Sequence, residues 1–284
     1  SSGAVAEDPW AIAVEWTWRG ISGLSGADDV YAAPVIGNLT DDNGDGVVDE
    51  LDVPEVVFTV AGTDTSVRNG WLVALDGATG KELWTTRAHG MAGVALADAD
   101  ADGATEVAAF DDAGRPILVA ADGTLEWRAS EAVGSLDYPQ ATVADLDADG
   151  RPEVIADDLV LSGATGEVQF RMHTVGAVYT MPAVGDLDLD GDQEIAYGAG
   201  VFDHEGTLLW SMPFAGTYGH WSAILDADGD SQGELAVVGA GYFGIFDPDG
   251  TTVLLEPSPA SQPGPPCVAD FDGDGAVDVA WSNG

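Results

Sequence analysis

The chain has 284 residues, 45% of them hydrophobic, which is enough to bury a core and too apolar for a disordered polymer. Its 50 acidic residues face 8 basic ones, a formal net charge of -42, so it repels nucleic acid and anionic membrane surfaces and attracts cations. The single cysteine, Cys267, excludes an internal disulfide, and no apolar run approaches the ~18 residues of a spanning helix, so no membrane insertion is expected.

Ser1 to Pro9 lacks a basic segment followed by an apolar one, so any signal peptide is absent or already removed. Residues 10–19, which include Trp10 and Trp18, read as one isolated closing strand. A first repeat starts near residue 34, with short strands at Pro34 to Gly37 and Glu55 to Val60 on either side of an acidic loop. Asp41, Asn43, Asp45, Val47, Asp49 and Asp52 occupy positions 1, 3, 5, 7, 9 and 12 of a twelve-residue cation loop. By strand register Asn38 aligns with Asp186 and Glu55 with Glu194, so the Asp41 loop is an insertion. A turn, Asp76-Gly-Ala-Thr-Gly80, then leads into a strand carrying Trp84.

The same unit recurs along the chain. The second repeat, from about residue 92, carries Asp98, Asp100, Asp102, Ala104 and Glu106, then Gly123 four residues before Trp127. The third, from about 139, carries Asp145, Asp147, Asp149, Arg151 and Glu153, then Gly166 before Phe170. The fourth, from about 180, carries Asp186, Asp188, Asp190, Asp192 and Glu194, then Gly206 before Trp210. The fifth, from about 221, carries Asp226, Asp228, Asp230, Gln232 and Glu234, then Gly250 before Leu254. The sixth, from about 266, carries Asp270, Asp272, Asp274, Ala276 and Asp278 and stops after the strand Val277 to Trp281.

Repeats of about 40 to 57 residues suit four-stranded propeller blades. The chain is therefore expected to be all-β, one β-propeller domain over residues 1–284. Each blade runs strand, acidic loop, strand, hinge, strand, turn, strand. The tryptophans of the fourth strands are expected to pack between blades rather than form a ligand site. The sixth repeat lacks its third strand, which points to a fragment of a longer protein or to irregular closure.

Carboxylates at positions 1, 3 and 5 of a curled loop project toward one point. A residue at 6 that tolerates a sharp turn, a carbonyl at 7 and an acid at 9 complete an oxygen cage suited to calcium. No histidine or cysteine is interleaved, which disfavours zinc, copper and iron–sulfur chemistry. Unneutralised, such carboxylates repel one another strongly. About six calcium ions are expected, one per loop.

The phrase Val184-Gly-Asp-Leu-Asp-Leu-Asp-Gly-Asp-Gln-Glu-Ile195 resembles the FG-GAP or VCBS repeat family, which includes the integrin α-subunit propeller. The resemblance extends over Tyr31 to Gly284 and implies a propeller, usually of seven blades, with calcium between strands 1 and 2. It also implies that a protein or glycan ligand docks on the face opposite the metal loops. Candidates on that face are Tyr31, Tyr138, Tyr179, Tyr218, His220 and Trp221 from 4-to-1 connections. Arg68, Asn69, Asp111, Arg115, Asp157 and Tyr242 come from 2-to-3 connections. Tyr218, His220 and Trp221 are the strongest, with Tyr179 and Tyr138 beside them.

The expected function is an extracellular or cell-surface module for adhesion or ligand recognition. Catalysis is not expected, because the four histidines lie in different repeats and no G-x-S-x-G or H-E-x-x-H motif occurs. The alternative is a carbohydrate-active propeller, either a lectin or a polysaccharide lyase. A quinoprotein is a weaker alternative, suggested by the phrase Leu75 to Trp84, which resembles the repeat of quinone-dependent dehydrogenases. Asn38-Leu-Thr40 fits a glycosylation sequon.

Overall fold

A computed structural model describes residues 13–62, 68–173, 180–213, 220–239, 241–258 and 263–282. It is all-β. The first sheet holds β1 (Val35–Gly37), β2 (Glu55–Val60), β3 (Asn69–Leu75) and β4 (Glu82–His89). The second holds β5 (Ala95–Ala97), β6 (Glu106–Phe110), β7 (Pro116–Val119) and β8 (Leu125–Arg128). The third holds β9 (Ala141–Ala144), β10 (Glu153–Ala156), β11 (Leu159–Ser162) and β12 (Val168–Arg171). The fourth holds β13 (Ala183–Gly185), β14 (Glu194–Tyr197), β15 (Gly200–Phe202) and β16 (Leu208–Ser211). The fifth holds β17 (Trp221–Leu225), β18 (Glu234–Gly239), β19 (Tyr242–Phe246) and β20 (Thr252–Pro257). The sixth holds β21 (Cys267–Ala269) and β22 (Asp278–Ala280).

Each sheet is a simple antiparallel meander, as a propeller blade requires. Among the described residues no helix is long and apolar enough to cross a membrane. In the first five blades the second and third strands are largely buried because the sheets stack face to face. One core cluster joins Val57, Leu72 and Ala74 of the first blade to Val107, Ile117 and Val119 of the second. Another joins Ala108, Phe110 and Leu118 to Val154, Leu159 and Leu161 of the third. Continuous apolar runs such as Glu55 to Val60 follow from this burial.

The blades are joined by a repeated latch. Every pairing of third with fourth strand slips register once, next to the turn, at Ala74/Leu75, Leu118/Val119, Val160/Leu161, Val201/Phe202 and Ile245/Phe246. The turn glycine has positive φ in each case, for example 86° at Gly123 and 68° at Gly166, as a bulged hairpin demands. Its bare Cα then receives a ring from the preceding blade. A Cβ on Gly166 would stand 2.5 Å from the Trp127 ring, and one on Gly123 would stand 2.8 Å from Trp84. Phe170 seats on Gly206 and Trp210 on Gly250 in the same way. The indole N–H groups of Trp84, Trp127 and Trp210 donate to the carbonyls of Ala121, Gly163 and Pro248 at 2.7, 2.6 and 2.7 Å. The phrase Leu75 to Trp84 is therefore a blade-joining element.

The expected N-terminal strand is corrected in its described part. Residues 13–18 form no strand, and residues 10–12 lie outside the described residues. Trp16 nevertheless plays the latch role for the first blade, seating on Gly80 and donating to the Gly77 carbonyl at 2.8 Å. Trp18 packs edge-on against Phe58 with centroids 5.0 Å apart. Together with Ile21 and Ala27 they cover the flank of the first blade that faces no earlier sheet.

Candidate metal centres

Each acidic loop joins the first and second strands of a blade, and each curls through two left-handed residues. Position 6 is one, with φ of 94°, 83°, 105° and 90° at Gly103, Gly150, Gly191 and Gly275 and 78° at Ser231. Position 4 is the other, and sequence reasoning missed it. It is Gly44, Gly229 or Gly273 in three loops, but Ala101, Ala148 and Leu189 also adopt φ of 62°, 55° and 63°. Side chains held there store backbone strain, which concentrates at functional loops.

The first aspartate organises the curl. In the second blade the N–H groups of Asp102 and Gly103 donate to Asp98 Oδ1 and Oδ2, both at 3.0 Å. Asp145 and Asp270 accept the equivalent bonds. Position 5 accepts the N–H of position 7, as Asp102 does from Ala104 at 2.8 Å. Asp149 likewise accepts the Arg151 N–H at 2.8 Å, and the Arg151 guanidinium lies 3.7 Å from the same carboxylate.

The position 9 acid is the clasp. Glu106, Glu153 and Glu194 are almost fully buried and accept the N–H of Ala99, Leu146 and Leu187 at 2.9, 3.1 and 2.8 Å. Burial drives the Glu106 carboxyl up to about 7, and nearby Asp100 pushes the same way. Glu153 and Glu194 are also raised, chiefly by burial. A cation among these groups would favour their charged forms.

Five loops bring three carboxylates together, with oxygens within 4.8 Å of one another. The groups are Asp98, Asp100 and Glu106; Asp145, Asp147 and Glu153; and Asp186, Asp188 and Glu194. The other two are Asp226, Asp228 and Asp230, and Asp270, Asp272 and Asp278. Asp102, Asp149, Asp190, Asp274 and Glu234 stand outside these triples. The donor set is all oxygen, which fits a hard cation such as calcium. In the fourth loop Asp186 Oδ1 is buried with no hydrogen-bond partner, the condition of an acceptor facing an ion site.

The inserted first loop differs. Asp41 curls it in the usual way, accepting from Gly44, Asp45 and Gly46. Asp52 then takes the clasp role, accepting the N–H groups of Asp42, Asn43 and Asp49 at 3.1, 3.3 and 2.9 Å. Among the described residues this loop gathers no acidic triple of the regular kind. In the underlying frame Leu39 N–H donates to Glu55 at 2.7 Å, which places Asn38 and Glu55 at positions 1 and 9. The sequon residues are occupied in the fold: Asn38 donates to the Asp49 carbonyl and Thr40 to Glu55.

The opposite face is built from unlike connections. Asp111, nearly buried, takes ion pairs from Arg115 and Arg128 at 2.7 and 3.1 Å. Arg68 pairs with Asp137 at 2.6 Å. Asp157 is buried in a left-handed turn with φ of 54°. Burial and the adjacent Asp158 raise its carboxyl to about 7, against the opposing effect of a hydrogen bond with Tyr197. Of the ligand-face candidates, Tyr138 is half-buried with φ of 57° and Trp221 is half-buried at the start of β17. His220 is wholly buried beside Tyr242, with ring centroids 6.1 Å apart, so it cannot touch a ligand docked on the surface. Tyr179 and Tyr218 lie outside the described residues.

No family model matches the chain, and no curated protein sequence matches it. Solved structures do. The biofilm matrix protein Bap1 of V. cholerae superposes with a TM-score of 0.76 at 24% identity, over 87% of this chain and 42% of that one. The exotype rhamnogalacturonan lyase YesX matches with a TM-score of 0.64 at 18% identity, over 88% of this chain and 53% of that one. The rhamnogalacturonan lyase YesW gives 0.63 and 18%, over 89% and 55%. The chain thus spans about half the length of the proteins it resembles. The expectation that it is not an enzyme is overturned by the lyases, since this fold carries enzymes. Scattered histidines and a missing nucleophile motif do not exclude chemistry that needs only positioned acids and bases.

Proposed function

We propose that the chain is a calcium-loaded propeller of the FG-GAP or VCBS type that handles polysaccharide outside the cell. The observation that carries this reading is the set of five acidic triples on one face of stacked blades, four from loop positions 1, 3 and 9 and one, in the fifth blade, from positions 1, 3 and 5. Repeated acidic cages of this kind serve the scaffold and leave the opposite face for recognition. The named neighbours, a biofilm matrix protein and rhamnogalacturonan lyases, support a setting in biofilm matrix or on rhamnogalacturonan-like polysaccharide. Half-exposed Arg115 and Arg128 on Asp111, and Arg68 on Asp137 next to Tyr138, suit an acidic or hydroxyl-rich chain better than an apolar peptide.

The test is a glycan array probed in calcium, followed by incubation of the bound polysaccharides with the protein. Binding to acidic polysaccharide is expected, and release of unsaturated sugar would identify a lyase. Binding to matrix proteins with no glycan bound or cleaved would overturn the reading in favour of a protein-adhesion module.

A further inference from the structure

The acidic loops are wired to one another, and the wiring is selective. In the fourth loop Gln193 sits at position 8. Its backbone N–H donates to the Leu146 carbonyl at 2.7 Å, and its side-chain Nε2 donates to the Asp145 carbonyl at 2.9 Å. Both acceptors belong to the third loop, and Asp145 is a member of that loop's acidic triple. The backbone bond repeats one blade further on, with the side chain now coming from position 7 toward the position 3 carbonyl. Gly233 N–H donates to the Leu187 carbonyl at 3.0 Å, and Gln232 Nε2 lies 3.5 Å from the Asp188 carbonyl. Asp188, Asp228, Asp230 and Glu234 also line one shared cleft of about 360 Å³.

One blade earlier the connection is broken by a single residue. Position 8 of the third loop is Pro152, which has no N–H to give. Its neighbour Arg151 turns to Asp149 of its own loop instead. Among the described residues no bond of this kind ties the third loop to the second, or the sixth to the fifth.

We propose that the loops of the third, fourth and fifth blades bind calcium cooperatively, while those of the second and sixth bind independently. This rests on the calcium reading above. An ion that fixes Asp145 also fixes the carbonyl that holds Gln193, and Gln193 immediately precedes the clasp Glu194. The ordering cost of the fourth cage is then partly met before its own ion arrives, and the benefit runs equally in reverse.

The experiment is a calcium chloride titration by calorimetry on the wild type, Gln193→Pro, Gln193→Ala and Pro152→Gln, with bound metal counted by elemental analysis. Proline is already accommodated at this position in the third loop, so Gln193→Pro removes both bonds with a residue the loop geometry accepts. Gln193→Ala removes only the side-chain bond and guards against a folding defect in the proline variant. The wild type is expected to show a Hill coefficient above 1. Gln193→Pro should lower it and weaken the affinity of the coupled sites by about fivefold or more. Pro152→Gln should raise the coefficient by adding the second loop to the series, and ion stoichiometry should stay the same throughout. Calcium binding with one isotherm shape in all four proteins would sink the coupling alone. No calcium binding by the wild type would sink the coupling together with the calcium reading.

Discussion

The two faces of this molecule are made by opposite strategies. On one, a single geometry is copied: a left-handed pair of residues, an aspartate that gathers backbone N–H groups, and a buried acid that clasps position 2. On the other, each connection is individual, from the doubly paired Asp111 to the strained, buried Asp157. The copied face concentrates like charge, which a bound cation would offset. The individual face satisfies its acids with arginine or, at Asp157, by keeping the proton.

Removing calcium should separate the faces most sharply. A ligand bound only by the folded state adds about 2.7 kcal/mol per site at a hundredfold excess over Kd. Chelation across several loops should therefore lower the melting temperature by on the order of 10 °C or more. A melting curve indifferent to excess chelator would mean that the copied face needs no ion.

Trp127→Ala should strike both faces together, because the latch holds the blade stack between them. Losing the ring and its bond to Gly163 should cost about 3 kcal/mol. Denaturant titration would read the loss. A cost confined to calcium affinity, with stability in calcium unchanged, would contradict the latch.

Asp157→Asn addresses the individual face alone. The folded carboxyl keeps its proton to about 7, while the unfolded one loses it near 4. Because the folded state binds more protons in that window, wild-type stability falls as pH rises from about 4 to about 7. The variant removes the fall, so its advantage should grow through that range and level off on the order of 4 kcal/mol. An advantage that is flat between pH 5 and 8 would show that Asp157 is ionised throughout.

The smallest effect belongs to the clasp acids. With Glu106 raised to about 7, calcium binding near pH 6 should release a fraction of a proton per ion. Titration in two buffers of different ionisation enthalpy measures it. Equal heats in both would mean that the clasps are already charged before metal arrives.

The copied face was legible in the sequence because its rule is local. Spacing alone located the loops, the strands Glu55 to Val60 and Glu194 to Tyr197, and the insertion marked by Asn38 and Glu55. The left-handed position 4 was hidden, since Ala101, Ala148 and Leu189 carry no glycine signal. So was the clasp role of Asp52, which reads as a twelfth ligand until its backbone partners are seen. The individual face was largely illegible. His220 looked exposed beside Trp221, yet its partners Thr180 and Tyr242 come from distant positions that no spacing rule connects. Residues 10–19 read as a strand like the one around Trp84, although in the described part the rings of Trp16 and Trp18 act by packing on Gly80 and Phe58 with no strand formed.

Phe170 carries a mechanical consequence. At the other blade junctions where a ring seats on a turn glycine, the ring is an indole that also donates a hydrogen bond; between the third and fourth blades the ring has no N–H to offer. Of the junctions closed by such a ring this is the weakest, so under force it should part before those that carry an indole donor. Phe170→Trp would supply the missing donor toward the turn ending at Gly206 and raise the force at which the joint parts.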